Sequence, residues 1–177
     1  DDHTCKSSTT AHQTEYAFMD AGIPVLNPAG VQEFLDLGLY GWAMSRFSGA
    51  WVGFKIVADA VDASASVLVD PHRVSITMPE DVSFPADGVN LRIPDPWMSQ
   101  EARLVRHKIP AATVFGRVNG LNRVTLESPR PRLGIIASGK AYLDVLQALS
   151  ELGLEGRAAA DVGITLFKVS MPYPMDL

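Results

Sequence analysis

Cysteine is almost missing from this chain. Cys5 is the single one in 177 residues, which excludes an internal disulfide framework and any zinc or iron–sulfur site built on several thiolates of these residues. Long apolar runs are missing too. No stretch reaches the length of a membrane span, and no signal-peptide pattern occurs near Asp1. A surplus of positive charge is also absent: the net charge is −5, which gives no electrostatic case for a nucleic-acid partner. What is present, 47% hydrophobic against 20% charged residues, is globular composition and enough chain for one generous domain or two small ones. The expectation is a soluble, cytoplasmic α/β protein with neither a nucleic-acid nor a membrane partner.

The hydrophobic pattern breaks into units. Residues 1–8, Asp-Asp-His-Thr-Cys-Lys-Ser-Ser, read as a polar loop that should follow a strand lying upstream of Asp1. Ser7 to Thr10 can cap a helix through Tyr16, Ala17 and Met19 that Gly22 stops. Ile23–Leu26 reads as a short buried strand. Asn27-Pro28 then supplies a cap followed by proline at the first helical position. The helix that follows carries Val31, Phe34, Leu35, Leu39, Trp42, Ala43 and Met44, apolar on nearly every side, and should be buried between layers. Gly49 ends it, and residues 51–58 form the next strand, with Trp42, Trp51 and Phe54 read as core in preference to a substrate box. Short joints between helix and strand predict parallel pairing.

After Asp59 the pattern changes. Pro79, Pro85, Pro94 and Pro96 forbid a long helix, which predicts an irregular proline-rich arm with β-like fragments at residues 66–69 and 73–78. Residues 99–119 look helical, with Pro110 kinking or dividing the helix. A second α/β unit begins at Arg132: strand 133–137, helix 140–152 stopped by Gly153, and strand 164–169. The divisions are therefore 1–60, 61–131 and 132–177.

Several of these stretches resemble one family in order and spacing. Asp2-His3, Lys6-Ser7-Ser8, His12-Gln13-Thr14-Glu15, residues 23–28 (Ile-Pro-Val-Leu-Asn-Pro) and residues 31–36 (Val-Gln-Glu-Phe-Leu-Asp) are similar to the second half of the pyrimidine-binding domain of the 2-oxoacid:ferredoxin oxidoreductases, in particular the indolepyruvate ferredoxin oxidoreductases. Residues 132–142, Arg-Leu-Gly-Ile-Ile-Ala-Ser-Gly-Lys-Ala-Tyr, resemble the opening of the transketolase-C-terminal-like domain that follows. Residues 163–174, with the ending Lys168-Val169-Ser170-Met171-Pro172, match that domain's next strand. The resemblance implies an α/β internal fragment of the large chain: a truncated pyrimidine-type domain, a connecting arm with a kinked helix, and the start of a second α/β domain.

The resemblance also implies an activity: oxidative decarboxylation of an aryl 2-oxoacid such as indolepyruvate by thiamine diphosphate with magnesium. An acyl-CoA product forms, and electrons leave through 4Fe-4S clusters to ferredoxin. The protein's share is to bind, orient and tune the cofactor. The glutamate that activates the aminopyrimidine is expected upstream of Asp1, and the Gly-Asp-Gly…Asn motif for magnesium and diphosphate on another domain. The fragment is then scaffold and partial cleft wall, inactive alone and binding no cofactor by itself. Its expected partners are the remaining domains or subunit of the parent enzyme, with ferredoxin and CoA in the intact system. Truncation exposes strand edges, so homo-oligomerisation is expected.

Candidate residues each carry a plainer reading. Asp2, His3, Lys6, Ser7 and Ser8 lie where ligands sit in open α/β sheets and could face cofactor or substrate; alternatively the serines only cap a helix. His3, Cys5 and His12 suggest a metal or thiol site but lack a completing cluster. Lys55 either points toward the cofactor face or ends its strand. Gly134 to Ala141 almost spells a phosphate loop, yet Ala141 lacks the magnesium-ligating hydroxyl and Ile135-Ile136 belong to a strand. Ser138, Gly139 and Lys140 remain an anion contact, for a phosphate of CoA for instance. Residues 101–132 hold seven cations against two acids, suited to interdomain ion pairs, a solvated face, or an acidic partner. Two other classes stay open: a free-standing α/β ligand- or protein-binding module, and a small nucleotide-binding protein using the Ser138-Gly139-Lys140 turn.

Overall fold

The computed structural model describes residues 13–176, and the expectations placed on residues 1–12 lie outside them. Thirteen segments of regular structure follow one another from Glu15 to Val169 in a mixed α/β arrangement with two small sheets.

The first sheet is a parallel pair, β1 (Val25–Leu26) and β2 (Gly53–Phe54), in the register Val25–Gly53 and Leu26–Phe54. It is preceded by α1 (Glu15–Asp20) and joined through α2 (Val31–Ser48). Helix α2 is capped at Gly30, three residues beyond the expected cap at Asn27. The reason is the backbone of Asn27, whose N–H donates to Ser170 O at 2.8 Å and keeps the chain extended. Glu33 reaches back instead, its Oε2 accepting the Ala29 N–H at 2.8 Å, so an acid at the third helical position satisfies a donor just before the helix. Gly49, at φ 70°, ends α2 in the left-handed region, and a Cβ there would lie 2.6 Å from Val89 O.

Helix α2 is not buried on all sides. Leu37, Gly41, Ala43 and Met44 pack inward, while Leu35, Leu39 and Trp42 are exposed. Trp42 and Trp51, expected in the core, are 71% and 80% exposed, and Phe54 packs at its margin. The irregular segment that runs beside α2 bonds to Gln32, Asp36 and Tyr40 but leaves Leu35, Leu39 and Trp42 exposed.

Strand 51–58 is also shorter than expected, because α3 (Ala58–Val61) starts where it should end. Residues 62–96 carry no helix or strand. The fragments that read as β-like give their backbone to side chains instead. Leu68 N–H donates to Gln32 Oε1 at 2.8 Å, and Thr77 bonds both ways with the Asn119 amide at 2.8 and 2.9 Å.

The helix expected across Pro110 is continuous but uneven: α4 (Trp97–Arg103), a π-helical segment Leu104–Lys108, then α5 (Ile109–Val118) with Pro110 in its first turn. Proline brings no N–H and its ring crowds the preceding turn, so a wider turn relieves both. Phe115 of α5 is fully buried and joins Leu26, Met44, Leu121 and Met171 in the main core. Phe47 stacks beside it, 6.0 Å from Phe115 and 5.3 Å from Phe84 by ring centroid.

The second sheet has the order β3-β5-β4, from β3 (Asn122–Leu126), β4 (Leu133–Ser138) and β5 (Ile164–Val169). β4 and β5 run parallel, paired along their full length from Leu133–Ile164 to Ser138–Val169, and β3 adds an antiparallel edge with an irregularity between Val124 and Leu126. Helices α6 (Lys140–Glu151) and α7 (Arg157–Val162) cover one face around a small core of Leu149, Ala159 and Ile164. Strand β3 had no counterpart in the sequence pattern, and neither had α7.

Among the described residues, links of three kinds join the sheets. Beyond β5 the chain runs beside β1, with Val25 N–H donating to Tyr173 O at 2.6 Å. Lys168 of β5, almost fully buried, pairs with Glu33 of α2 and lies 4.6 Å above the Tyr142 ring. Burial pushes the Lys168 ammonium down to about 8, while the carboxylate beside it favours the charged form. The third link is a side-chain bond at the cleft described next.

Candidate functional site

β1 and β2 are parallel, so their carboxyl ends open on the same side. Asn27 follows β1, and Lys55 follows β2, its N–H donating to Leu26 O at 2.8 Å. Facing them is the turn from β4 into α6, residues Ser138, Gly139 and Lys140. Between lies a cleft of about 310 Å³ lined by Gln13, Glu15, Asn27, Lys55, Ser138 and Lys140, among others. Ligands in open α/β folds bind beyond strand carboxyl ends, and here two sheets contribute such ends to one cleft.

Lys55 is buried, so its charge needs partners. Its Nζ donates to Gln13 Oε1 at 2.7 Å and pairs with Glu15 of α1. Glu15 Oε2 is buried and has no hydrogen-bond donor among the described residues. A buried carboxylate oxygen without a donor is costly, and pairing through the other oxygen with the Lys55 ammonium offsets that cost. Lys55 therefore lines the cleft with its charge paired to α1.

Across the cleft, Asn27 Nδ2 donates to Ser138 Oγ at 2.9 Å, and Ser138 Oγ donates to Val169 O at 2.8 Å. This relay fixes the serine hydroxyl and clamps the two sheets together. Gly139 has φ 54° and ψ −140°, and a Cβ there would stand 2.5 Å from Asn27 Oδ1; the turn requires glycine twice over, for its backbone and for its neighbour. The Lys140 ammonium is held by Asp144 at 2.6 Å, whose hydrogen bond raises its pKa. Its charge is thus partly answered within α6.

Of the sequence-predicted site residues, Lys55, Ser138, Gly139 and Lys140 come together. Asp2, His3, Lys6, Ser7 and Ser8 lie outside the described residues, as do Cys5 and His12. The cleft also uses residues that sequence reasoning assigned elsewhere. Asn27 read as a helix cap, and Glu15 as part of a family-like string. An asparagine before a proline, at the carboxyl end of a predicted strand, was the available signal for the first. The cationic stretch 101–132 mostly lies away from this cleft: Arg103 pairs with Asp87 at 3.0 Å and Arg117 bonds Asp176 at 2.6 Å.

Residues 123–177 match the family model of the indolepyruvate oxidoreductase domain. No curated protein matches the chain. The matched segment is therefore similar to part of an indolepyruvate oxidoreductase. It contains β4, β5, α6 and α7, nearly all of β3, and with them the Ser138–Lys140 side of the cleft. Lys55, Glu15 and Asn27 stand outside it. No described helix is long and apolar enough to cross a membrane.

Proposed function

We propose that these residues are a segment of an oxidoreductase that decarboxylates an aryl 2-oxoacid of the indolepyruvate type, forming the acyl-CoA and passing electrons to ferredoxin. The observation that carries this reading is the match of residues 123–177 to the indolepyruvate oxidoreductase domain. Within it the segment is scaffold and one wall of the thiamine diphosphate cleft, and the cleft between Lys55 and Ser138 is the part of that wall these residues supply. Its partners are the remaining domains or subunit of the enzyme, with CoA and ferredoxin in the intact system.

The cofactor fits this cleft only in part. Glu15 Oε2 offers a buried acceptor and Lys55 a buried cation, which suits a polar heterocycle at the wall. Among the described residues no group of three or more His, Cys, Asp or Glu side chains could hold a metal ion. In this reading the magnesium–diphosphate end and the iron–sulfur clusters belong to other domains, and no chemical step is assigned to a side chain described here. Lys55, Ser138 and Asn27 hold the wall's shape and exclude water.

Titration calorimetry of the 177-residue chain with thiamine diphosphate and magnesium tests the division of labour, with no measurable heat expected. The full polypeptide encoded with these residues should reduce a viologen dye when given indolepyruvate, CoA and the cofactor. Tight cofactor binding by the 177 residues alone would contradict the wall role. ATP turnover by them, or a full polypeptide inert toward every aryl 2-oxoacid, would sink the oxidoreductase reading.

A further inference from the structure

A second cleft lies at the opposite, amino ends of β1 and β2. It holds about 360 Å³ between Ile23 and Gly49–Trp51 on one side and the α4–π segment on the other. That volume falls in the range of small-molecule sites. Its apolar wall is Trp51, Leu91 and Leu104, and the first two are 80% and 69% exposed. Its polar end is Lys108, the last residue of the π-helical segment. π-Helical turns are rare and recur at functional sites.

Lys108 Nζ donates to Gly49 O at 2.9 Å and has no carboxylate within ion-pair reach among the described residues. Its other two N–H donors have no protein acceptor there. The remaining charges of the lining are accounted for differently. Arg92 and Arg103 are both tied to Asp87, at 2.6 and 3.0 Å, and to Asp95, at 2.9 and 3.5 Å. Glu101 is exposed at the rim. The lining thus holds three cations and two carboxylates, and Lys108 is the cation that these acids leave unanswered. Burial first, and Arg103 second, lower its pKa, the signature of an ammonium short of counter-charge. Arg103 Nε in the same lining is buried without an acceptor among the described residues.

We propose that this cleft binds a small molecule with a flat apolar body and a single anionic group, the body lying on Trp51 and Leu91 and the anion meeting Lys108. A ring on the indole face exploits the large apolar area of tryptophan, and a carboxylate or phosphate supplies the acceptors that Lys108 lacks. The site is separate from the Lys55 cleft and does not depend on the activity proposed above.

The test uses the 177-residue chain carrying Trp42→Phe and Trp97→Phe, both exposed positions, so that Trp51 is the sole indole. The probes are 2-naphthoate, 2-naphthyl phosphate and the neutral 2-naphthalenemethanol, followed by the shift of the Trp51 indole N–H resonance. Both anions should bind saturably, at least about tenfold tighter than the alcohol, and the tighter of the two identifies carboxylate or phosphate as the natural head group. Lys108→Gln should abolish that preference while leaving the alcohol unchanged. Leu91→Glu, at an exposed rim where folding is not at stake, should weaken both anions about tenfold or more. The proposal is overturned if the Trp51 resonance stays still, if the alcohol binds as tightly as the anions, or if folded Lys108→Gln or Leu91→Glu protein binds naphthoate like the parent chain.

Discussion

The two sheets solve opposite problems. The first has strands of two residues but a large core; the second has fully paired six-residue strands around a core of three buried side chains. The first completes its core with borrowed residues, Ala112 and Phe115 from α5 and Met171 from beyond β5. The second, among the described residues, is covered on only one face. By register Val124, Phe167 and Ile136 form a row across the other, and Ile136 is 75% exposed. Neither unit is closed alone. The Lys55 cleft lies on their seam, so its geometry is a consequence of docking and not of either sheet.

The largest test of that contrast is made in the cores. Phe115→Ala should cost about 3–5 kcal/mol, the usual range for a buried aromatic, whereas Leu149→Ala in the smaller core should cost about 2 kcal/mol. All three tryptophans precede β3, so urea unfolding by fluorescence reads the first unit and hydrogen exchange at β5 reads the second. Equal losses from the two variants, or loss confined to fluorescence in both, would mean that the cores are not unequal in the way described.

The seam comes next. Lys168→Met removes one partner of a buried pair and leaves Glu33 facing an apolar side chain, which should cost about 3 kcal/mol. Adding Glu33→Gln keeps an acceptor for the Ala29 N–H and removes the stranded charge. The double variant should regain more than half of the loss, and both probes should move together. If the single variant is neutral, the pair does not hold the units in register.

How much of this was legible in the sequence depends on distance along the chain. β4, α6 and β5 declare themselves because a short apolar run, a glycine turn and a helical period are all local signals. β3 does not. Asn122-Arg123-Val124-Thr125-Leu126 has no run of its own, and becomes a strand because β5 presents an open edge to it. The Glu33–Lys168 pair joins residues 135 positions apart, and Asn27 meets Ser138 across 111; no spacing rule reaches that far. Trp42 and Trp51 misled for another reason. An aromatic side chain signals that something covers it, without saying whether the cover lies in the same stretch of chain.

The smallest effect concerns acid. Hydrogen bonds from Arg103, then Arg92, hold the Asp87 carboxyl well below the usual carboxylate range. A group whose folded pKa is depressed contributes stability above its unfolded pKa, near 4 for an aspartate, and loses it as pH falls through the folded value. Asp87 is exposed, so the contribution is modest and salt-screened. Asp87→Asn should therefore leave stability at pH 7 slightly lower and make the fluorescence-detected loss between about pH 4 and pH 2 shallower. Exchange at β5 should not respond, because Asp87, Arg92 and Arg103 all belong to the segment packed on the first unit. An acid limb unchanged in Asp87→Asn, or one equally altered at β5, would show that this ion cluster does not serve the first unit alone.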